Sequence, residues 1–371
     1  MRPICHLHIG MNKAGSTTIQ AAFLNYLDPN LEYLRPEKDS VLHSVLDRTF
    51  QRPRDVKRFG VDSSELADAD ATFNEIMERS DRAAFISYEN LSIWPDVDAI
   101  ERIRVRLLRH CESVHVLAYI RPPHAYMRSL LQQSVKLGPP PPKLAGLWPD
   151  YQRRFERWDR VFGRDVVTLV PFRTDSLSDG DLLSDVCLRI GADLDRLSRR
   201  EVSNPAASLE ASAALAVWQD ARAAKRWDDT EPTPRELNRF AREIAEFGQT
   251  RRWGFEDAAI ERLFEDRAPD VLWMAERLRC PDFAKETAPS VRIAGLEAFR
   301  DIGRGQTQAL ADWLPRRFRD IDLAGARATE DMMQAAFRHY VSRTRPAPRW
   351  RDYLPLKLKR KLAPLVHRLR S

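Results

Sequence analysis

The sequence offers little from which to build a metal site or a disulfide framework. Its four cysteines, Cys5, Cys111, Cys187 and Cys280, lie far apart and no CxxC pair occurs among them. Zinc clusters and disulfide scaffolds therefore have no support, and no metal is expected. Cys5 and Cys187 sit in apolar contexts and read as core thiols. No apolar run approaches the roughly 20 residues needed to span a bilayer. The stretch from Ile4 to Met11 is short, is interrupted by His6 and His8, and lacks a small-residue cleavage site. It does not read as a signal peptide, so a cytoplasmic location is expected. Internal repeats are missing as well.

A basic body is also lacking. Formal charge is +6, yet residues 341–371 hold ten Lys/Arg against the single Asp352, so the other 340 residues sum to −3. Only the tail is basic. Neither an aromatic platform nor a recognition motif accompanies that charge, and no nucleic-acid partner is expected.

What is present fits a soluble globular chain. It has 371 residues, 43% hydrophobic and 31% charged, enough for one large or two ordinary domains. Apolar, strand-like runs at 3–10, 83–88, 114–120 and 165–170 alternate with helical patterns. Those patterns fall at 16–27, 64–79, 97–110, 124–137, 149–162 and 180–190. Such alternation predicts an α/β fold with a central parallel sheet flanked by helices. Ligands of such sheets bind beyond the carboxyl ends of the strands. Four consecutive prolines at 139–142 predict a stiff extended loop. From about Ser208 strand signals vanish, and helices are expected at 208–227, 234–248, 255–278, 306–318 and 329–343. The expected organisation is an α/β core over 1–205, a helical region over 206–345 packed on it, and a basic tail over 346–371.

Two strand-to-helix turns carry chemistry. The first, CHLHIGMNKAGSTTIQ, runs from a buried strand through Gly10, Lys13, Ala14 and Gly15 into a helix opening with Ser16, Thr17 and Thr18. Ile19, Phe23, Tyr26 and Leu27 form one stripe that should pack on the sheet. Free N–H groups at a helix start, a lysine and a glycine suit an oxyanion. Read alone, the segment is also explained as a turn whose Ser16 caps a helix. Walker spacing is absent.

In the second turn, HVLAYIRPPHAYMRSLLQQSV, Arg121 stands at a strand tip. Pro122 and Pro123 open a helix, and Ser129 follows eight residues after Arg121. An arginine fork there can grip a phosphate with two hydrogen bonds.

Together KAGSTT at 13–18 and RPPHAYMRS at 121–129 resemble the two signatures of sulfotransferases that use 3′-phosphoadenosine 5′-phosphosulfate. LHIGMNKAGSTTIQ, FISYENL and NPAASL look most like the bacterial branch that sulfates carbohydrates or related hydroxyl compounds. The resemblance covers about 1–210 and is weak beyond. It implies a P-loop-like sheet whose first loop (Lys13, Ala14, Gly15, Ser16, Thr17, Thr18) holds the 5′-phosphosulfate. Arg121 and Ser129 would hold the 3′-phosphate. Ala14 stands where the family usually has Thr, and Pro122 replaces a frequent Asn.

Sulfuryl transfer resembles phosphoryl transfer, so positioning and charge stabilisation should dominate. Lys13 is the candidate to stabilise the leaving oxygen. Glu89, just past a buried strand in AFISYENLS, is the candidate base; its alternative is a carboxylate that caps the next segment or pairs with an arginine. Ser87 and Asn90 are candidates to orient acceptor or cofactor. Gln133 and Lys136 face either an acceptor or solvent. His6 and His8 read as partly buried, hydrogen-bonded histidines, His124 as a solvated helix-start residue, and Trp158 and Trp218 as core.

In the tail, leucines from Leu354 to Leu369 interleave with basic residues. Such a segment can lie on an anionic membrane surface, giving peripheral contact at the inner membrane with a carbohydrate or glycolipid acceptor. A docked terminal helix and a frayed solubilising end explain it equally. A nucleotide-dependent kinase and a non-catalytic nucleotide-binding or membrane-associated scaffold are the competing functional readings.

Overall fold

Parallel strands buried on both faces read as continuous apolar runs, and here they form a five-stranded sheet. The structure, a computed structural model, describes residues 1–34, 63–93, 95–138, 143–198, 207–227, 231–249, 251–285 and 289–344, apart from the side chains of 63–70. The proline run, the first half of NPAASL, most of the 30–62 loop and the basic tail lie outside the described residues.

Strands β1 (Arg2–His8), β2 (Leu31–Tyr33), β3 (Ala83–Ser87), β4 (Cys111–Ile120) and β5 (Val167–Pro171) run in the order β2-β3-β1-β4-β5. All pairs are parallel, with Cys5 level with Ala84 and Val114, and Val116 level with Val167. Every carboxyl end thus falls on one edge. That edge carries the turn after β1, Glu89 after β3 and Arg121 after β4. Helices α1 (Ser16–Ala22), α2 (Ser63–Glu78), α3 (Val97–Leu108), α4 (Pro123–Leu137) and α5 (Tyr151–Phe162) lie between the strands in the chain, and α6 (Leu182–Ile190) follows β5. In α5, Tyr151, Phe155, Trp158 and Val161 recur at helical spacing and are buried.

The chain divides into two units. Of the described residues, the first comprises those within Met1–Gln133, Pro142–Asn204 and Arg252–Leu296; the second takes those within Ser134–Pro141 and Pro205–Arg251 and those from Glu297 to Thr344. Residues 252–296, expected within a continuous helical region, therefore belong with the sheet. They include β6 (Trp253–Phe255) and β7 (Val291–Ile293), a parallel pair, where no strand was expected. The expected helix at 255–278 is two helices, α9 (Asp257–Asp266) and α10 (Ala268–Leu278). Arg267, at φ −110° and ψ 7°, breaks it, and a proline opens the second.

The second unit is helical: α7 (Leu209–Ala223), α8 (Pro234–Ile244), α12 (Thr307–Arg317), α13 (Thr329–Thr344) and nearly all of α11 (Leu296–Arg304), which sequence reading missed. Trp218 packs edge-on to Phe240 at 5.3 Å and donates to Gln334 at 2.6 Å. Trp158 and Trp218 are both core residues, as expected.

Arg2 holds the first unit's edge. Its fully buried guanidinium donates to the Met77 and Arg82 carbonyls at 2.9 and 2.8 Å, and to Glu32 Oε2 at 2.8 Å. Met77 belongs to the last turn of α2, whose carbonyls have no helical partner. Replacing Arg2 by methionine strands those carbonyls while Glu32 keeps Arg79 at 2.7 Å. We expect a stability loss of about 3 kcal/mol. It should appear in urea unfolding as a lower midpoint with an unchanged slope.

Candidate functional site

The loop after β1 first prolongs the sheet and then turns sharply. Ile9 and Met11 donate to Leu117 and Tyr119 of β4 at 2.9 and 3.0 Å, and Tyr119 returns a bond to Gly10 at 2.8 Å. Gly10 has φ +113°, and a Cβ there would stand 3.0 Å from the Glu89 carbonyl and 3.2 Å from its Cα. That glycine lets the Glu89 backbone press against the loop. Gly15, at φ +84°, is the N-cap of α1 and provides no side-chain cap; a Cβ there would lie 2.3 Å from Leu182. The helix consequently starts with N–H groups open toward the loop.

Several candidates come together here. Glu89 opens a short 3-10 turn directly after β3, and Ser92 donates to its carbonyl at 2.9 Å. Burial, the largest influence, raises the Glu89 carboxyl above its ordinary range; a hydrogen bond from Ser16 and the Lys13 charge pull it down. Glu89, Ser16 and Lys13 are therefore neighbours although they come from two different strand ends. The Lys13 ammonium also donates to Gln133 Oε1 on α4, one of the two residues with an open assignment. The other, Lys136, falls in the second unit, where burial and Arg242 lower its pKa.

Arg121 joins the two signature turns. Its guanidinium donates to the Lys13 carbonyl at 2.5 Å, and its backbone N–H meets Met11 Sδ at 3.3 Å. The remaining candidates are placed differently. Ala14 is buried and its N–H closes a turn on Met11 at 3.3 Å, so it packs the loop. Thr17 and Thr18 are exposed at the start of α1, and Ser129 lies half-buried two turns along α4. Leu27, expected on the packed stripe, is 78% exposed because α1 ends at Ala22.

Beside Arg121 opens a cavity of about 780 Å³. Ala125 and Arg128 line it, whereas Ser129 does not. Its cations are Arg121, Arg128, Arg173, Arg252 and Lys285, set against Asp175 and Asp282. Arg173 is engaged by both acids, at 2.6 and 3.2 Å, and Arg128 donates to the Trp253 carbonyl at 2.8 Å. Phe172 forms an aromatic wall and stands near the Gly15 position. The excess of cations suits an anionic ligand. Sequence reading missed Arg252 and Lys285, because their segment returns to the sheet only in three dimensions. The pair Arg251-Arg252 before the strand-like Trp253–Phe255 was the available signal.

The histidines beneath the loop are structural. His8 shares a 2.8 Å bond with Ser87 Oγ, and His6 meets His115, which contacts Thr168 at 2.9 Å. Ser87 thus faces His8 and Gln20, and Asn90 donates to Tyr88 Oη at 3.1 Å. His124, expected in solvent, stacks on Phe264 with ring centroids 4.4 Å apart. Burial lowers His6 and His8 to about 4 from 6.5; His115 adds to the effect on His6, and the Gly10 carbonyl opposes it at His8. In the unfolded chain both accept a proton near 6.5. The unfolded state then binds more protons between those values, so stability is lost as pH falls from 6.5 toward 4. We expect about 3 kcal/mol per imidazole across that window. Urea unfolding at several pH values checks this, and His6→Gln should reduce the pH dependence.

Among the described residues, no helix is long and apolar enough to cross a membrane. No protein-family model matches the chain, and no curated protein matches it either. The fold is similar to the crystal structure of a sulfotransferase from Alicyclobacillus acidocaldarius, at 16% identity and a TM-score of 0.42, over 81% of this chain and 99% of that one. A likeness of this size does not identify a function.

Proposed function

We propose that this protein is a sulfotransferase that moves a sulfuryl group from 3′-phosphoadenosine 5′-phosphosulfate to an acceptor hydroxyl. The observation that carries the reading is the meeting of Lys13, Ser16 and Glu89 at strand ends, with Arg121 bound to the Lys13 carbonyl. These residues belong to the segments that resemble the family's signatures. The adjoining cation-lined cavity of about 780 Å³ has the size of a nucleotide pocket.

In this reading the acceptor oxygen bonds to sulfur as the bond from sulfur to the bridging phosphate oxygen breaks. Glu89 receives the hydroxyl proton, and the Lys13 ammonium neutralises the charge gathering on the departing oxygen. The nucleotide leaves as adenosine 3′,5′-bisphosphate. Cations around the cavity hold its phosphates, with Arg121 supplying a planar fork. The acceptor class, a carbohydrate or glycolipid hydroxyl, rests on the resemblance. The basic tail over 346–371 would keep a cytoplasmic enzyme at the inner membrane surface near a lipid-linked acceptor.

A thermal-shift comparison of adenosine 3′,5′-bisphosphate, ATP and AMP tests the donor site. A ligand at a hundred times its dissociation constant adds about 2.7 kcal/mol to the folded state. Selective stabilisation by the bisphosphate, weakened in Arg121→Ala, is the expected result. Preference for ATP would favour a kinase, and no response to any of the three would sink the reading.

A further inference from the structure

The segments that meet at the site are also tied together from behind by one helix. Along α5, Tyr151, Arg154 and Arg157 recur every third residue and so follow one ridge of the helix. Each reaches a different segment. Tyr151 Oη donates to the Arg121 carbonyl at 2.6 Å. Arg154 donates through Nη1 to Asn12 Oδ1 at 3.0 Å and through Nη2 to Tyr126 Oη at 2.9 Å. Tyr126 itself donates to the same Asn12 oxygen at 3.0 Å, and the Arg154 guanidinium lies 5.3 Å from its ring centre. Arg157 Nη2 donates to the carbonyls of Ser92 and Ile93 at 2.9 and 3.0 Å, at the end of the turn that Glu89 opens.

α5 is itself firmly seated. Asp270 of α10 accepts from Trp148 Nε1 at 2.7 Å and from the backbone of Tyr151 and Gln152 at 3.0 and 2.7 Å. Arg277 of the same helix binds Asp159 at 2.7 and 2.8 Å. A rigid helix thus has one side chain on each of the three turns that carry Lys13, Glu89 and Arg121.

We infer that α5 is the positioning element of this site, and that Arg154 sets the Lys13 loop by holding the Asn12 side chain. The inference deepens the proposed function and rests on it for its catalytic meaning. Asn12 immediately precedes Lys13, so a freed Asn12 lets the lysine leave the geometry that charge stabilisation needs. Misplacement of about 1 Å can lower a rate by about a hundredfold. An arginine suits the task because its fork reaches an amide oxygen and a phenol oxygen together, which lysine's point charge does not reproduce.

Hydrogen exchange on the ligand-free protein tests the positioning directly. In Arg154→Met and in Asn12→Ala, amides of residues 9–16 should exchange about tenfold faster, while those of β1 and β4 keep their protection. The double variant should be no faster than either single one. Unchanged exchange in the loop, a uniform rise over the sheet, or multiplying effects in the double variant would overturn the inference. If Arg154→Met does not fold, Tyr126→Phe and Arg154→Lys give the same comparison with smaller disturbance. Calorimetry with adenosine 3′,5′-bisphosphate keeps the two readings apart. Absence of binding by the unaltered protein defeats the proposed function alone. Binding that is equally tight in the unaltered protein and in both variants, with equal turnover, defeats the positioning role alone.

Discussion

Replacing Glu89 by glutamine is expected to lower turnover by about 10²–10⁴-fold while leaving nucleotide affinity nearly intact. The substitution keeps the side chain's shape, and it removes the carboxylate that stands beside Lys13 and Ser16. Acidity adds a second signature. Burial raises the Glu89 carboxyl above the ordinary glutamate value of 4.5, against the pull of Ser16 and Lys13. A base acts only when deprotonated, so the rate should rise with pH through an apparent pKa above 4.5. That acid limb should vanish from whatever activity the glutamine variant retains. Rate measurements from pH 4 upward separate this role from a purely structural carboxylate, whose loss would lower stability and leave the profile in place.

Lys13→Met carries the other large effect, a loss of about 10²–10³-fold in turnover, the usual result of deleting one group that stabilises developing negative charge. The two variants are distinguishable. Lys13→Met retains the base, and so it retains the acid limb. The limb should move to higher pH, because the Lys13 charge is one of the influences that hold the Glu89 carboxyl down. A shift to lower pH would contradict the contact between them. Lys13→Arg keeps the charge but spreads it over a plane, and is expected to recover only part of the rate.

The features legible in the sequence are those set by local pattern. β1, β3, β4 and β5 are apolar runs long enough to declare themselves, and the helices between them show a clear period. β2 is three residues, Leu31–Tyr33, too short for any period, and is held by pairing with β3 and by the Arg2–Glu32 contact. β6 and β7 have the same length and the same difficulty. The break at Arg267 was announced by Pro269, a helix-start signal submerged in a longer apolar pattern. Lys13, Gly15, Arg121 and Glu89, which the fold brings to one edge of the sheet, stood out in the sequence because each lies in a turn that leaves a strand. Asn12, Tyr126 and Arg154 were not, since a polar network joining three segments leaves no spacing to read. His124 misled for the opposite reason. A histidine in a first helical turn is normally solvated, and only the fold brings Phe264 against it.

Transfer of a labelled group tests the central claim most directly. The protein would be incubated with a sulfur-labelled nucleotide donor and a mixture of carbohydrate and glycolipid hydroxyl acceptors, with γ-labelled ATP as the parallel donor. We predict label on an acceptor, adenosine 3′,5′-bisphosphate formed in equal amount, and neither product from Glu89→Gln on the same timescale. Label passed from ATP instead, or tight bisphosphate binding with no transfer to any acceptor and no dependence on Lys13 or Glu89, would contradict it.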